Sequence, residues 1–347
     1  MIYLYVKILR DKILGDYFVE AKVLIMARSA TSRKDTKRPA WRAFACLLGV
    51  GTLLALSLVI AKLADQAAAP RLSFLMAAMA GAACVLTGIA ALQDQPMPLT
   101  RRTLEYAVVS GVLFALPNAF AFLAVRHVGA GFIALSFAFP ILVTWLLAVL
   151  LQLERLRMVR LLGVLLGLGG GVLLAAAKAR GVDGAHGWAV LVVAIPVILA
   201  VGNVYLTLRW PSGTSPVFLA ALMLFGGALT LLPFALISEP GQLPALLGSA
   251  AVGRLLLLEI AVFAIQYVFL FVLQRLAGPV YLSQIGTVAA LVGTLVAVGL
   301  MGEAPPPNLA LAGTLVALGL TLFHRGAQTV SVRGALGASR TPRGKAA

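Results

Sequence analysis

The chain has 347 residues, of which 61% are hydrophobic and only 12% are charged, and its mean hydropathy is +1.00. A soluble protein of this length carries about twice that share of charged residues. The composition therefore excludes a soluble enzyme or binding module and predicts an integral membrane protein. The net charge of +16 comes from Lys and Arg in loops and tails beside apolar segments. Anionic lipid headgroups and membrane topology explain such residues, so we expect no nucleic-acid partner.

Residues 1–42 form a basic N-terminal segment that we predict to lie in the cytoplasm. Its apolar residues are spaced among charged ones in a pattern compatible with an amphipathic helix at the membrane surface. Equally, the stretch from Met26 through Arg42 would serve as a shorter basic N-terminus, and residues 1–25 would then contribute little to function.

Ten apolar runs follow, each about as long as the 20 residues that a helix needs to cross a bilayer. They lie near residues 43–63, 72–92, 104–125, 130–151, 159–177, 187–208, 217–237, 252–273, 279–300 and 306–323. Because the runs are continuous rather than alternating, they predict helices and not a membrane β-barrel. The runs form two groups of five, at 43–177 and 187–323, joined by a linker at 178–186. The basic tail at 324–347 is predicted to be disordered.

The two groups repeat one pattern. Identical residues recur 149 positions apart in three pairs, Arg126 and Arg275, Gly129 and Gly278, and Glu154 and Glu303. If the N-terminus is cytoplasmic, 22 of the 28 Lys and Arg residues lie on the cytoplasmic side, which is the bias typical of inner-membrane proteins. Because five is an odd number, the second copy then enters the membrane from the opposite side. We therefore predict an all-α membrane protein with ten transmembrane helices arranged as two inverted five-helix repeats, with both termini cytoplasmic.

The ends of the two copies carry a recognisable motif. In the first copy the motif residues are Pro140, Glu154-Arg155, Gly163 and Gly169-Gly170-Gly171, and in the second they are Glu303-Ala304-Pro305, Gly313 and Gly319. This doubled pattern resembles the EamA repeat of the drug/metabolite transporter superfamily. The resemblance implies a ten-helix transporter of the bacterial inner membrane with alternating access and a central cavity, lined mainly by the first four helices of each half. Members carry amino acids, other metabolites, drugs or sugar derivatives, usually by secondary transport. The second copy departs from the pattern, because Ala289 stands where the first has Pro140.

Polar residues inside the spans are the candidate site residues, because polar groups at membrane depth are costly and usually face a cavity or another helix. Asn118 in span 3 follows Pro117 and corresponds to Tyr267 in span 8 under the offset of 149. Glu259 and Gln266 lie seven residues apart on one face of span 8. Glu259 is the only acid well inside a span, where it could take up a proton, pair with a substrate amine, or pair with Arg254 near the interface.

Other spans supply further candidates. Asn203, Tyr205, Ser136, Gln284 and Thr287 are polar residues within spans 4, 6 and 9. Asn203 and Tyr205 are two residues apart and point to different faces, so we expect at most one of them at the cavity. Hydroxyl groups in membrane helices bond their own backbone more often than a ligand.

Prolines and span-end acids have expected structural roles. Pro117, Pro140 and Pro196 are predicted to bend their helices, which makes them candidates for gating. Glu154 and Glu303 each precede a new helix, and we expect both to stabilise that helix start through its free N–H groups and its dipole.

These features favour a secondary transporter for a small metabolite, with an amino acid or related compound as candidate substrate, export as the expected direction and a proton as a possible coupling ion. A membrane-embedded enzyme acting on a lipid-linked or apolar substrate, or a channel, is the alternative. The three histidines lie at span ends or in loops, and the two cysteines lack metal-ligand spacing, so we predict neither a metal nor a cofactor.

Overall fold

The protein is helical wherever the structure describes regular elements. The computed structural model describes residues 40–129, 133, 136, 137, 139–150, 157–179, 185–299 and 302, and residues 310–322 apart from 312, 316 and 320. The helices of ten residues or more in these ranges are α1 (Ala40–Gln66), α2 (Arg71–Leu92), α3 (Arg101–Val128), α4 (Pro140–Leu150), α5 (Met158–Ala179), α6 (Ala185–Leu208), α7 (Pro216–Ser238), α8 (Ala250–Leu282) and α9 (Ile285–Gly299). A four-residue helix, Ala245–Gly248, precedes α8. No strand occurs in this part of the chain.

Within the described ranges, five helices are long and apolar enough to cross a membrane. They cover Arg42–Gln66, Arg71–Leu92, Arg101–Val128, Pro216–Ser238 and Ala250–Leu276. Their outer faces expose large apolar side chains such as Leu257 and Ile237, whereas Glu259 and Gln266 are buried inside the bundle. Apolar groups outside and polar groups inside are the arrangement expected of a helical protein in lipid. The chain is therefore a membrane protein.

The helices pack in a regular order. Helix α1 contacts α8 and α9, helix α6 contacts α3 and α4, and helices α2 and α7 pack on each other. In addition, α7 lies against α3, and α2 lies against α8. One large apolar cluster runs through this arrangement and includes Phe74, Phe122, Phe263 and Phe271.

Glycines allow close contact between helices α3 and α7. A Cβ atom placed on Gly111 of α3 would lie 2.4 Å from the backbone carbon of Gly226 in α7, and a Cβ atom on Gly226 would lie 2.0 Å from the carbonyl oxygen of Ala107. Any larger residue at either position would therefore push the two helices apart. Small residues at such contacts let membrane helices gain van der Waals contact along their backbones.

Helices α2 and α7 run antiparallel and are joined at one end by a carboxylate. The Glu239 carboxylate, just after α7, accepts hydrogen bonds from the backbone N–H groups of Leu72 and Ser73 at 3.0 and 2.8 Å. These groups belong to the first turn of α2, whose N-cap residue Pro70 provides no side-chain cap. Further along, Gly227 lies beside Met79. The end of α7 therefore caps the start of α2, with charge and helix dipole in the favourable sense.

Two predicted spans differ from the structure. Span 4 was expected to be one helix bent at Pro140, but Ile133 and Ser136 are helical, Phe137 and Phe139 form a turn, and Pro140 is the first residue of α4. The prediction of a mid-helix bend at Pro140 is therefore wrong. Proline has no N–H group and a fixed φ, which suits the first position of a helix and opposes continuation from the preceding turn.

The boundary between spans 8 and 9 was also misplaced. We predicted that span 8 ends at residue 273 and span 9 starts at 279, but α8 continues to Leu282 and α9 starts at Ile285. In the first half, α3 ends at Gly129, which adopts a positive φ of 80°. The corresponding Gly278 lies inside α8. Glycine permits such a helix end but does not impose it.

Most other predicted span limits agree with helices α1, α2, α3, α5, α6 and α7 to within three residues. Several predictions lie outside the described residues. These are the N-terminal segment before residue 40, the tail from 324, and the helix-start residues Glu154 and Glu303.

The Glu239 cap gives a stability prediction. Glu239→Ala removes both acceptors from the α2 N-terminus, so we expect the free energy of unfolding to fall by about 1–2 kcal/mol. Thermal unfolding of the purified protein in detergent would measure this loss. Glu105→Ala is the matched control, because Glu105 forms an ion pair with Arg209 in which both side chains are over a third exposed. Such a pair contributes only a few tenths of a kcal/mol. Equal melting temperatures for the two variants would contradict the capping role.

Candidate functional site

A cavity of about 50 Å³ lies between α1, α3, α4, α6, α8 and α9. Its lining residues are Leu54, Phe114, Asn118, Phe137, Pro140, Leu199, Asn203, Gln266, Tyr267, Leu270, Leu282, Ser283, Ile285 and Gly286. A water molecule needs roughly 10–15 Å³ measured this way, so the cavity can hold a few waters. Pockets for small molecules are several times larger. The structure therefore shows a small cavity to which both groups of helices contribute.

Asn118 and Tyr267 meet at this cavity. The Asn118 amide nitrogen donates one hydrogen bond to the carbonyl oxygen of Phe114 at 2.6 Å and another to the Tyr267 hydroxyl at 3.1 Å. Phe263 supports the tyrosine from the side, with its ring edge-on at a centroid distance of 5.5 Å. Both polar side chains are buried. They are the residues that the sequence paired through the offset of 149, and they touch each other directly.

Three further polar side chains line the cavity. Gln266 on α8, Asn203 on α6 and Ser283 between α8 and α9 are all buried. The Gln266 side-chain oxygen is inaccessible to solvent and has no hydrogen-bond partner among the described residues. An unpaired buried acceptor costs roughly 1–3 kcal/mol unless a ligand or a water supplies a donor. Gln266 therefore places an unpaired hydrogen-bond acceptor beside the cavity.

Glu259 lies outside the cavity lining, although it shares a helix face with Gln266. Seven residues separate them, about 10 Å along α8. The Glu259 side chain is fully buried and accepts a hydrogen bond from the Ser57 hydroxyl of α1. Its second carboxyl oxygen has no partner among the described residues. Arg254, which the sequence suggested as a partner, instead donates from Nε to the Ala250 carbonyl oxygen.

The remaining polar candidates do not line the cavity. Tyr205 packs its ring on Tyr106 at 5.8 Å, so of the pair Asn203 and Tyr205 only Asn203 lines the cavity. Ser136 donates to the carbonyl oxygen of Ile133 at 2.7 Å. Gln284 and Thr287 are partly buried near the start of α9 but do not line the cavity.

The prolines take two different positions. Pro117 and Pro196 lie inside the continuous helices α3 and α6, as expected. Pro140, at the start of α4, lines the cavity together with Phe137 from the preceding turn. On the opposite side, Ser283 and Gly286 flank the turn between α8 and α9. The cavity is thus bordered by two interruptions of helical structure.

Sequence reasoning missed two side chains. Hydroxyl groups inside the spans were expected mainly to bond their own backbone, but the Ser57 hydroxyl of α1 donates to Glu259. Gln274 on α8 is buried, and neither its amide nitrogen nor its oxygen has a partner among the described residues. Gln274 follows Gln266 by eight residues and so continues the same helix face. It was overlooked because the predicted end of span 8 fell one residue before it.

Four aromatic side chains pack together toward one end of the bundle. Tyr106 packs against Tyr205 and Phe271, and Trp210 packs edge-on against Phe271 at 5.7 Å. Tyr106 and Phe271 are completely buried. Because these residues come from α3, α6, α8 and the loop after α6, they join helices of both halves.

The opposite end carries a different set of contacts. Asp65 and Arg71 form an ion pair between α1 and α2, and His127 of α3 stacks on Trp188 of α6 at a centroid distance of 4.3 Å. In the described ranges, no group of three His, Cys, Asp or Glu side chains could hold a metal ion.

No protein-family model and no curated protein matches the chain. Solved structures do match it. One of them, described as "Crystal structure of protein", is 21% identical over 81% of this chain and 97% of its own, with a TM-score of 0.58. This similarity shows that the two chains share a fold.

Proposed function

We propose that the chain is a secondary transporter with two inverted EamA-type repeats, a member of the drug/metabolite transporter superfamily. It moves a small metabolite, such as an amino acid or a related compound, across the bacterial inner membrane by alternating access, with both termini in the cytoplasm. A solute site between two structurally equivalent halves is the arrangement on which such transport depends.

The observation that carries this proposal is the contact between Asn118 and Tyr267. These residues occupy equivalent positions in the two copies, 149 apart, and their side chains are hydrogen-bonded. Two equivalent residues can touch only near the axis that relates the copies. The lining contains two further pairs at this offset, Leu54 with Asn203 and Phe137 with Gly286. The cavity therefore fits a site on the axis between two repeats.

Helix packing supports the inverted relation. If α1 to α4 correspond to α6 to α9, the contact of α1 with α8 corresponds to that of α6 with α3, and both contacts are present. The contact of α1 with α9 likewise corresponds to that of α6 with α4. Helices α2 and α7 are equivalent to each other and run antiparallel, as inverted copies require.

The interrupted helices support a transport site rather than a structural one. Irregular backbone at membrane depth is tolerated where it is buried in protein or lines a cavity. Transporters often place such breaks at the solute site, where the helix ends present free backbone groups. The turn at Phe137 and Phe139 and the turn at Ser283 and Gln284 both adjoin the cavity.

Orientation of the copies can be tested with two equivalent loop positions. Gln93 after α2 and Gln242 after α7 are both exposed and lie 149 apart. In a background with Cys46 and Cys84 replaced by serine, we expect Gln93→Cys to react with an impermeant thiol reagent from the cytoplasmic side only. We expect Gln242→Cys to react from the outside only. Labelling of both from one side would contradict the inverted repeat.

Alternating access can be tested at Ser283, which lines the cavity. In the same background, we expect Ser283→Cys to be modified by a small impermeant reagent both in right-side-out and in inverted vesicles, because the cavity opens to each side in turn. Substrate should slow both reactions. Val201→Cys on the lipid-facing side of α6 is the control, since Val201 is 42% exposed but lies outside the cavity. Reaction of Ser283→Cys from one side alone would favour an enzyme site over a transport path.

We assign proton coupling in this transporter to Glu259. A buried carboxyl group is favoured in its neutral form, and a proton could be lost when the surroundings open to water. Glu259→Gln keeps an acceptor for Ser57 but cannot release a proton. In proteoliposomes we expect this variant to lose solute flux driven by a pH gradient while solute exchange continues. Normal pH-driven flux in Glu259→Gln would remove Glu259 from the coupling mechanism.

A further inference from the structure

The lining of the cavity points to the class of solute, and this inference rests on the proposed transport function. We infer that the site selects small solutes with no net charge that combine an apolar part with an N–H or O–H group, and that Gln266 receives this hydrogen bond. Organic anions and cations of similar size are excluded.

No described residue that lines the cavity is charged. Its polar groups are the side chains of Asn118, Asn203, Gln266, Tyr267 and Ser283, and the rest of the lining is apolar apart from one glycine. In the sequence, the residues between Gly129 and Pro140 that the structure does not describe are alanine, glycine, phenylalanine and leucine. Transfer of an unpaired ion from water into such surroundings is far more costly than transfer of a neutral polar group. Among the described lining residues, a solute with a net charge would find no compensating charge.

Charged side chains with partners lie at the ends of the bundle instead. Arg71 pairs with Asp65 at one end, and Arg209 pairs with Glu105 at the other. Glu259 is buried along α8 but is bonded to Ser57 and does not line the cavity. The absence of charge is therefore a property of the cavity and not of the whole protein interior.

The hydrogen-bond positions of the cavity are unequally occupied. Both amide hydrogens of Asn118 are used, one by Phe114 and one by the hydroxyl of Tyr267. The Gln266 oxygen is buried without a partner. It is an acceptor, so the group that completes it must be a donor. Around it, Leu54, Leu270 and Ile285 offer an apolar wall for the rest of the solute.

Binding to the purified full-length protein in detergent tests this inference without measuring transport. We would use derivatives of leucine and of phenylalanine that are similar in size and differ in charge: the neutral N-acetyl amides, the cationic amides, and the anionic N-acetyl acids. Thermal stabilisation at graded concentrations reports binding. In at least one of the two series, we expect the uncharged member to bind at least about tenfold more tightly than the charged members. One unpaired buried polar group already weakens binding by about this factor. Equal or tighter binding of a charged member, or binding of no uncharged member, would overturn the inference.

A substitution that adds a carboxyl group at Gln266 gives a second test. Gln266→Glu places a carboxyl group beside the cavity with almost no change in shape. Pairing with a cationic solute favours the ionised form of this group, so we expect preference to shift toward the cationic amide by about tenfold. Gln284→Glu is the matched control, since Gln284 is near the cavity but does not line it, and its preference should stay that of the wild type. A Gln266→Glu variant with unchanged preference would contradict the role of Gln266.

Gln266→Leu separates binding from folding. It removes an acceptor that has no partner, so we expect the melting temperature without ligand to be equal or higher, whereas binding of the uncharged solutes falls about tenfold. A lower melting temperature with unchanged binding would assign Gln266 to structure alone. Because these measurements need no flux, charge-selective binding without transport would uphold the inference and reject the proposed function. Transport of a charged member without transport of the neutral members would support the proposed function and contradict the inference.

Discussion

The requirement that polar groups inside a membrane find partners within the protein governs this structure. Hydrocarbon offers no hydrogen bonds, so each buried polar side chain must reach another helix or a cavity. Ser57 reaches Glu259, Asn118 reaches Tyr267, and the Glu239 carboxylate reaches the start of α2. Each contact joins the first group of helices to the second. The same few interactions therefore both satisfy the polar groups and fix how the two groups of helices are associated.

The bundle divides into a tightly packed part and a part with a cavity. At the contact of α3 with α7, Gly111 and Gly226 leave no space for a side chain. On the other side of α3, Phe114 and Asn118 border the cavity with residues of α6, α8 and α9. Close backbone contact resists rearrangement, because many small van der Waals contacts would be lost at once. Any opening of the cavity is thus expected to move helices near Pro140 and Ser283, where helical structure is already interrupted, rather than the contact between α3 and α7.

Sequence and structure agree where local properties decide the outcome. Hydropathy and length located α1, α2, α3 and α7 to within three residues, and the repeat offset paired Asn118 with Tyr267, whose side chains meet. The prediction failed at Pro140, because proline can either bend a helix or start one. Pro140 starts α4 instead of bending a longer helix. The partner of Ser57 and the exclusion of Glu259 from the cavity depend on contacts between residues about 200 positions apart. No periodicity within one helix contains that information.

Capping of α2 by Glu239 has a consequence for how the protein is made. The N–H groups of Leu72 and Ser73 enter the membrane region early in synthesis, whereas their acceptor is encoded 167 and 166 residues later. Until α7 has been inserted, the beginning of α2 must rely on water or lipid headgroups for these hydrogen bonds. The hydrogen bonds at the start of α2 are therefore completed late in assembly. The ribosome must synthesise the chain through Glu239 before α2 acquires this cap.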